Sequence, residues 1–393
     1  MCNNKYKINN AITGIGFVVA LVCLLTLCIL LPDNKISENE NRPLELMPKI
    51  KLDTIISGEF MKSFEKYASD QVVARNGWAT MKTKMDVLVG KKDNGSVFFG
   101  KQGYLFPIES LDKGQFEKNL LYTKTFIDNL NEEFGNNIDT KVLIASTSIE
   151  VLNDLLPKNA QVESQKALLS RAEETFGHKF INVYDGLESH NKEYIYYKTD
   201  HHWTTLGSYY AYAIWAENSG VKPIDKSELK KQTVSESFYG TSQSKAVGYK
   251  VEPDYIQKFS NDNMDSAVMT VKDSYNKDET KNLKDREMDL FDETYLKGKD
   301  KYSYFLSSNN PRLDISSSID NGKKILIIKD SYANCFIPFL TNHFDELYVV
   351  DLRYYKDNLF ELIKEKNISD VLFLYNVVNY SNDRNLVYLS SNS

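Results

Sequence analysis

KKILIIKDSYAN, residues 323–334, is an apolar run that stops at Lys329-Asp330-Ser331. A strand with one wet face alternates apolar and polar residues, whereas a continuous run of this kind is buried on both faces and suits a parallel sheet. Ser331 follows the run and precedes ANCFIPFL, which has a helical pattern. The serine therefore falls at a strand-to-helix turn on the carboxyl edge of the sheet, where open α/β sheets carry their sites. TKVLIAS (140–146), KFINVY (179–184), FDELYVVD (344–351) and VLFLYN (371–376) repeat the strand pattern. Between them lie helical stretches such as SQKALLSRAEETF (164–176) and NLFELIKEK (358–366). Strands alternating with helices predict an α/β fold around a mostly parallel sheet flanked by helices.

Earlier segments frame this core. SGEFMKSFEKYASDQVVARNGWATMKTKMDVLVG (57–90) places Phe60, Phe64, Tyr67 and Val72 at helical spacing, and SVFFGKQGYLFP (96–107) turns on Gly100 and Gly103 as a hairpin would. Residues 255–304 turn strongly polar and read as an insertion or cap on the core.

The 393-residue chain has a formal charge of −6 with lysines and acids interspersed, so no basic patch marks a nucleic-acid partner. Ala11 to Leu31 is uncharged throughout and would span about 30 Å as a helix. Lys5 and Lys7 precede it, and acids outnumber bases in PDNKISENENR after it, which puts the N-terminus in the cytosol. A cleaved signal peptide is the rival reading, but CILLPDNK offers no small-x-small cleavage site. The expected organisation is a cytosolic stub (1–10), a transmembrane signal-anchor helix (11–31), a linker (32–45) and an extracytoplasmic α/β domain (46–393). In this arrangement Cys335 is the single thiol of the exported part, so no internal disulfide is expected there. Asn-, Lys- and Tyr-rich usage resembles AT-rich bacterial coding, which would make the outside a cell-wall space.

TDHHWT, residues 199–204, carries the second half of the chemistry. In an extended or turning segment, residues i and i+2 project to one side. Asp200 can thus accept from one ring nitrogen of His202 and leave the other as a base, the orienter-and-base pair of a hydrolase triad. A metal held by Asp200, His201 and His202 is the alternative. Adjacent residues point apart, however, and no further ligand is evident among His178, His190 and His343, so none is expected. The nucleophile has two candidates, because KDSY occurs at 272–275 and again at 329–332. Ser331 has a buried strand before it and a helical pattern after it. Ser274 follows the weaker AVMTV and leads into polar sequence, and Ser331 is preferred.

TDHHWT and ILIIKDSYAN, with ENRPLELMP (40–48), FEKYASDQVVAR (64–75), FFGKQGYLF (98–106), VVDLRYY (349–355) and VLFLYN, resemble the bacterial DHHW proteins. These are related to the alginate O-acetylation proteins of the AlgJ and AlgX kind and to the SGNH hydrolases. The resemblance implies an SGNH-like fold in circularly permuted order, with Asp200 orienting, His202 as general base and Ser331 as the acyl-accepting nucleophile. His201 falls at a variable position and is read as supportive or substrate-facing. The SGNH pattern has Gly-Asp-Ser where this chain has Lys329-Asp330-Ser331. Besides the Ser331 N–H and the helix N-terminus that follows it, Asn334, Arg353 and Asn376 are oxyanion candidates, each of which could equally cap a helix or pair with an acid. Trp203, Tyr209, Tyr210, Tyr354 and Tyr355 could stack on sugar rings or pack a core.

The expected function is a membrane-anchored O-acetyltransferase acting on an exported or cell-surface polysaccharide, without a cofactor. Its acyl group would come from a multi-spanning membrane O-acyltransferase partner. An esterase using the same triad, and a non-catalytic glycan-binding subunit, are the alternatives.

Overall fold

The computed structural model describes residues 2–37, 42–273 and 284–392. The chain divides into two compact units, residues 1–90 with 244–249, and residues 91–243 with 250–393. Residues 46–90 therefore belong with the first unit and not with the α/β core.

The first unit is helical. Helix α1 runs over Cys2–Leu30, and its side chains at Ile12, Ile15, Phe17, Val18 and Val22 are exposed. Among the described residues no helix is long and apolar enough to cross a membrane. Side chains at 2–11, 25 and 29 lie outside that description, so the span expected at 11–31 is only partly covered by it. The helices predicted over 57–90 form at Glu59–Asp70 and Arg75–Leu88, and the Phe60, Phe64 and Tyr67 rings follow one another at centroid spacings of 6.0 Å.

The second unit is built on an eight-stranded sheet. In chain order its strands are β1 (Asp139–Ala145), β2 (Phe180–Ile181), β3 (Val268–Val271), β4 (Arg286–Asp289), β5 (Arg312–Ser316), β6 (Lys324–Lys329), β7 (Glu346–Val350) and β8 (Asp370–Asn376). Their spatial order is β4-β3-β5-β7-β6-β8-β1-β2. Strands β7, β6, β8, β1 and β2 pair in parallel, as their apolar runs predict. In β6, Ile325 to Ile328 are all buried, the sign of a strand covered on both faces.

Two expectations change here. Residues 255–304 do not form a separate cap. They supply β3 and β4, which with β5 extend the sheet in antiparallel pairing, so the sheet is mixed. Their short, half-polar runs are what an edge facing water on one side permits. ANCFIPFL is not one helix either. A 3-10 turn over Ser331–Cys335 gives way to the four-residue helix Ile337–Leu340, because Pro338 has no N–H to continue a ladder. Ser274, the rival serine, lies outside the described residues.

Helices flank the sheet. Helix α2 (Lys113–Phe134) is capped by Asp112, which accepts the Gln115 N–H at 2.9 Å. Its Phe126 ring packs edge-on against Phe360 and Phe373 at 5.2 and 5.8 Å. Phe126 is fully buried, so Phe126→Ala should cost about 3–5 kcal/mol of stability in denaturant titration of this unit. A loss below about 1 kcal/mol would contradict that packing.

Candidate active site

Asp200 and His202 lie on a turn that closes between Tyr196 and Trp203, just ahead of helix α3 (Thr205–Asn218). The Tyr197 N–H donates to the His202 carbonyl at 3.2 Å and tightens that turn. Within it, His202 Nδ1 sits 2.5 Å from Asp200 Oδ1, and His202 Nε2 sits 2.8 Å from Ser331 Oγ. The three side chains predicted to form a triad are thus in one hydrogen-bonded line, all buried. A carboxylate can only accept, so Nδ1 carries the proton toward Asp200 and Nε2 is left to accept from the Ser331 hydroxyl.

Asp200 is fixed from a third segment. Its Oδ1 also accepts the His202 N–H at 3.0 Å, while Oδ2 accepts the Thr241 N–H at 2.8 Å and the Thr241 hydroxyl at 3.0 Å. Burial works to raise the Asp200 carboxyl, but the His201 and His202 rings and these hydrogen bonds outweigh it and hold it well below the usual carboxylate range. Gly240 makes the approach possible. A Cβ there would stand 2.2 Å from Asp200 Cβ and 2.3 Å from Oδ2.

Ser331 is held through its neighbour. Asp330 Oδ1 accepts the Tyr332 N–H at 2.9 Å, and Oδ2 accepts the Asn376 N–H, Asn376 Nδ2 and Asn379 Nδ2 at 3.0, 2.7 and 2.8 Å. Two of the three oxyanion candidates have donor groups engaged by acids, and Asn334 is held through its oxygen. Asn376 gives its amide to Asp330, Asn334 Oδ1 accepts from Lys329 Nζ at 2.8 Å, and Arg353 pairs with Asp351 at 2.9 and 2.5 Å. Lys329 is fully enclosed; burial depresses its ammonium to about 8, with Asp351 pulling the other way.

His201 is 28 % exposed, with Nδ1 2.7 Å from the Thr241 hydroxyl, and it lines a groove together with Asn376. Asp200, His201 and His202 bring ligand atoms within 4.8 Å of one another. Both His202 nitrogens are taken up by Asp200 and Ser331. Trp203 is not a sugar platform. It is fully buried and donates its indole N–H to the Tyr332 carbonyl at 2.9 Å, and Tyr209, Tyr210 and Tyr355 are buried as well, while Tyr354 is exposed. Gly240, Thr241 and Tyr302, which also reach the triad, gave no signal in the sequence, because each acts through a partner far along the chain.

A family model described as "DHHW protein" matches residues 125–350, a span that holds Asp200, His202 and Ser331. The chain belongs to the DHHW family. Among solved structures, a DHHW family protein from Eubacterium siraeum is 25 % identical, with a TM-score of 0.62 over 75 % of this chain and 94 % of that one. Bacillus cereus PatB1, solved with a sulfonyl adduct, is 18 % identical with a TM-score of 0.60, covering 74 % of this chain and 98 % of its own, and shares the fold. The O-acetyltransferase domain of Pseudomonas putida AlgJ is more distant, at 12 % identity and a TM-score of 0.44 over 76 % of this chain and 99 % of that one. No curated protein matches the chain significantly.

Gly240→Ala should push Asp200 off His202 and slow any Ser331-dependent reaction by about 100-fold, since displacements near 1 Å in an active site cost that much. Unchanged acylation kinetics in a folded Gly240→Ala variant would show that Asp200 does not set the His202 geometry.

Proposed function

We propose that this DHHW protein is an O-acetyltransferase that modifies a polysaccharide outside the cytoplasm. The observation that carries the reading is the Asp200–His202–Ser331 line, at 2.5 and 2.8 Å. Ser331 Oγ attacks the carbonyl carbon of an acyl donor while His202 Nε2 takes its proton, and the imidazolium returns that proton to the departing group. A sugar hydroxyl then attacks the acyl-serine, gives its proton to Nε2, and leaves as the acetyl ester as the Ser331 hydroxyl is restored. The Ser331 N–H donates no backbone hydrogen bond among the described residues, which supports it as the oxyanion donor that the sequence also offers.

The groove beside His201 supports a carbohydrate acceptor. Its lining sets the Gln161 amide and the Glu109 and Glu163 carboxylates against an apolar wall of Ile108 and Val162, with no lysine or arginine among the described residues, while Thr147 and Gln165 bond each other and Asn379 bonds Asp330. Triad chemistry needs no cofactor. A donor outside the cell must be delivered, and the partner we propose for that step is a multi-spanning membrane O-acyltransferase. The uncharged stretch 11–31 supports a membrane anchor with the N-terminus in the cytosol. Hydrolysis by the same acyl-serine is the alternative outcome, decided by whether a sugar or water reaches it.

Full-length protein in detergent, mixed with 4-nitrophenyl acetate, should release nitrophenol in a burst and gain the mass of one acetyl group, and Ser331→Ala should do neither. Equal labelling of the two proteins would sink the triad. The anchor is tested separately: after alkaline carbonate washing of membranes from expressing cells, the full chain should stay in the pellet and a chain starting at Ile36 should not. Release of both would remove the anchor from the proposal.

A further inference from the structure

Tyr302 lies on the 3-10 turn Lys301–Tyr304, within the segment that reads as an insertion in the sequence. Its ring stacks on the His202 imidazole, with centroids 3.8 Å apart and planes 12° from parallel. The hydroxyl at its far end donates to the Ser331 carbonyl at 3.1 Å and also reaches Cys335 Sγ at 3.4 Å. One side chain therefore contacts both members of the His202–Ser331 pair.

The contact addresses a freedom the triad does not remove by itself. A ring torsion of the histidine type is broad, and the bonds at Nδ1 and Nε2 fix an axis about which the imidazole plane can still tilt; the His201 and Tyr332 rings touch it at 38° and 43°, so of these three rings Tyr302 alone lies flat on it. A tilt turns the Nε2 lone pair away from the serine. A second ring lying flat on the first resists that tilt, which an edge-on contact would do less well. Tyr302 is buried, and burial, followed by Cys335, pushes its phenol well above the ordinary value, so it remains a donor at any working pH.

The backbone behind Tyr302 is itself pinned. The Asp292 N–H donates to the Tyr304 carbonyl at 2.8 Å, the Ser308 N–H to the Ser303 carbonyl at 3.1 Å, and the Leu306 N–H to the Leu290 carbonyl at 2.9 Å. Leu306, Ser307 and Ser308 follow in left-handed conformation, with φ of 57°, 53° and 78°. Three such residues in a row, none of them glycine, persist only where the surroundings dictate the path.

We propose that Tyr302 is a positioning residue, whose ring sets the plane of His202 and whose hydroxyl sets the backbone of Ser331, so that Nε2 and Oγ stay aligned. The proposal rests on the triad assigned above. The test uses the full chain in detergent with phenylmethylsulfonyl fluoride, a reagent that needs no delivered donor. Ser331 Oγ attacks the sulfur, fluoride leaves, and His202 takes the hydroxyl proton. The rate of adduct formation is read by intact mass across the pH range in which imidazole titrates, for wild type, Ser331→Ala, Tyr302→Phe and Tyr302→Leu, with thermal melting of each.

Tyr302→Phe keeps the ring and loses one neutral hydrogen bond, so its rate should fall by about three- to tenfold with an unchanged pH midpoint. Tyr302→Leu removes the flat contact and should slow the adduct by about 100-fold and displace the midpoint. A folded Tyr302→Leu that labels at the wild-type rate with the wild-type midpoint, or one slowed only in proportion to its unfolded fraction, overturns the proposal and leaves the triad standing. Absence of a Ser331 adduct in the wild type overturns both.

Discussion

The hydrogen bond from Ser331 to His202 Nε2 joins segments 129 residues apart, and much of the surrounding structure serves to keep its ends in reach. Each end is anchored by a buried carboxylate that belongs to the same turn as the side chain it places. Asp200 gathers His202 and Thr241, and Asp330 gathers Tyr332, Asn376 and Asn379. An unpaired buried carboxylate is strongly unfavourable, so such a group recruits donors from whatever segments lie near. The two aspartates thereby turn a desolvation penalty into geometric order. They differ in balance: at Asp200 neighbouring rings and donors overcome burial, whereas at Asp330 burial prevails over the donors and the carboxyl is raised.

The parallel order of the strands explains why these groups converge. Registers such as Ala145 opposite Asn376 and Lys329 opposite Leu374 bring the carboxyl ends of β1, β8, β6 and β7 to one edge. Ser331 follows β6, Asn376 ends β8, and Asp351 follows β7. Polar groups crowd that edge, and they satisfy one another. Lys329 bonds Asn309 and Asn334 at 2.9 and 2.8 Å and lies 3.8 Å from Asp351, which Arg353 also engages. Side chains committed to such a network are poor candidates for polarising a substrate, because moving one would strand a buried charge. Arg353 and Asn376, plausible as oxyanion donors on sequence grounds, are occupied in this way, whereas Asn334 enters the network through its accepting oxygen.

What the sequence reveals and conceals follows from the range of each interaction. The runs 140–146, 323–329, 344–351 and 371–376 announce buried parallel strands by local composition, and strands form within one or two residues of those bounds, whereas KFINVY yields only the two-residue β2. Asp200 and His202 are also legible, since their bond spans two residues. Ser331 needed one further inference, that a serine after a buried strand lies on the site edge. Trp203 stays open between sugar stacking and core packing in the sequence, because the partner that decides for the core is the Tyr332 carbonyl 129 residues away. Gly240 is invisible for a similar reason: nothing in its neighbourhood reports that Asp200 presses against it.

The segment 255–304 shows how far a polar composition can mislead. Its charges and lack of long apolar runs suggest a dispensable surface addition, but it provides the outer strands β3 and β4 and carries the ring that lies on His202. The left-handed run at Leu306 to Ser308 immediately after it costs about 1–3 kcal/mol per residue by general experience. Leu306 is fully buried and its N–H bonds Leu290, while Ser307 bonds Asp292, so the strained path is enforced by contacts on both sides. Strain retained directly behind Tyr302 is accounted for if the position of that ring matters more than the energy it takes to hold the backbone there.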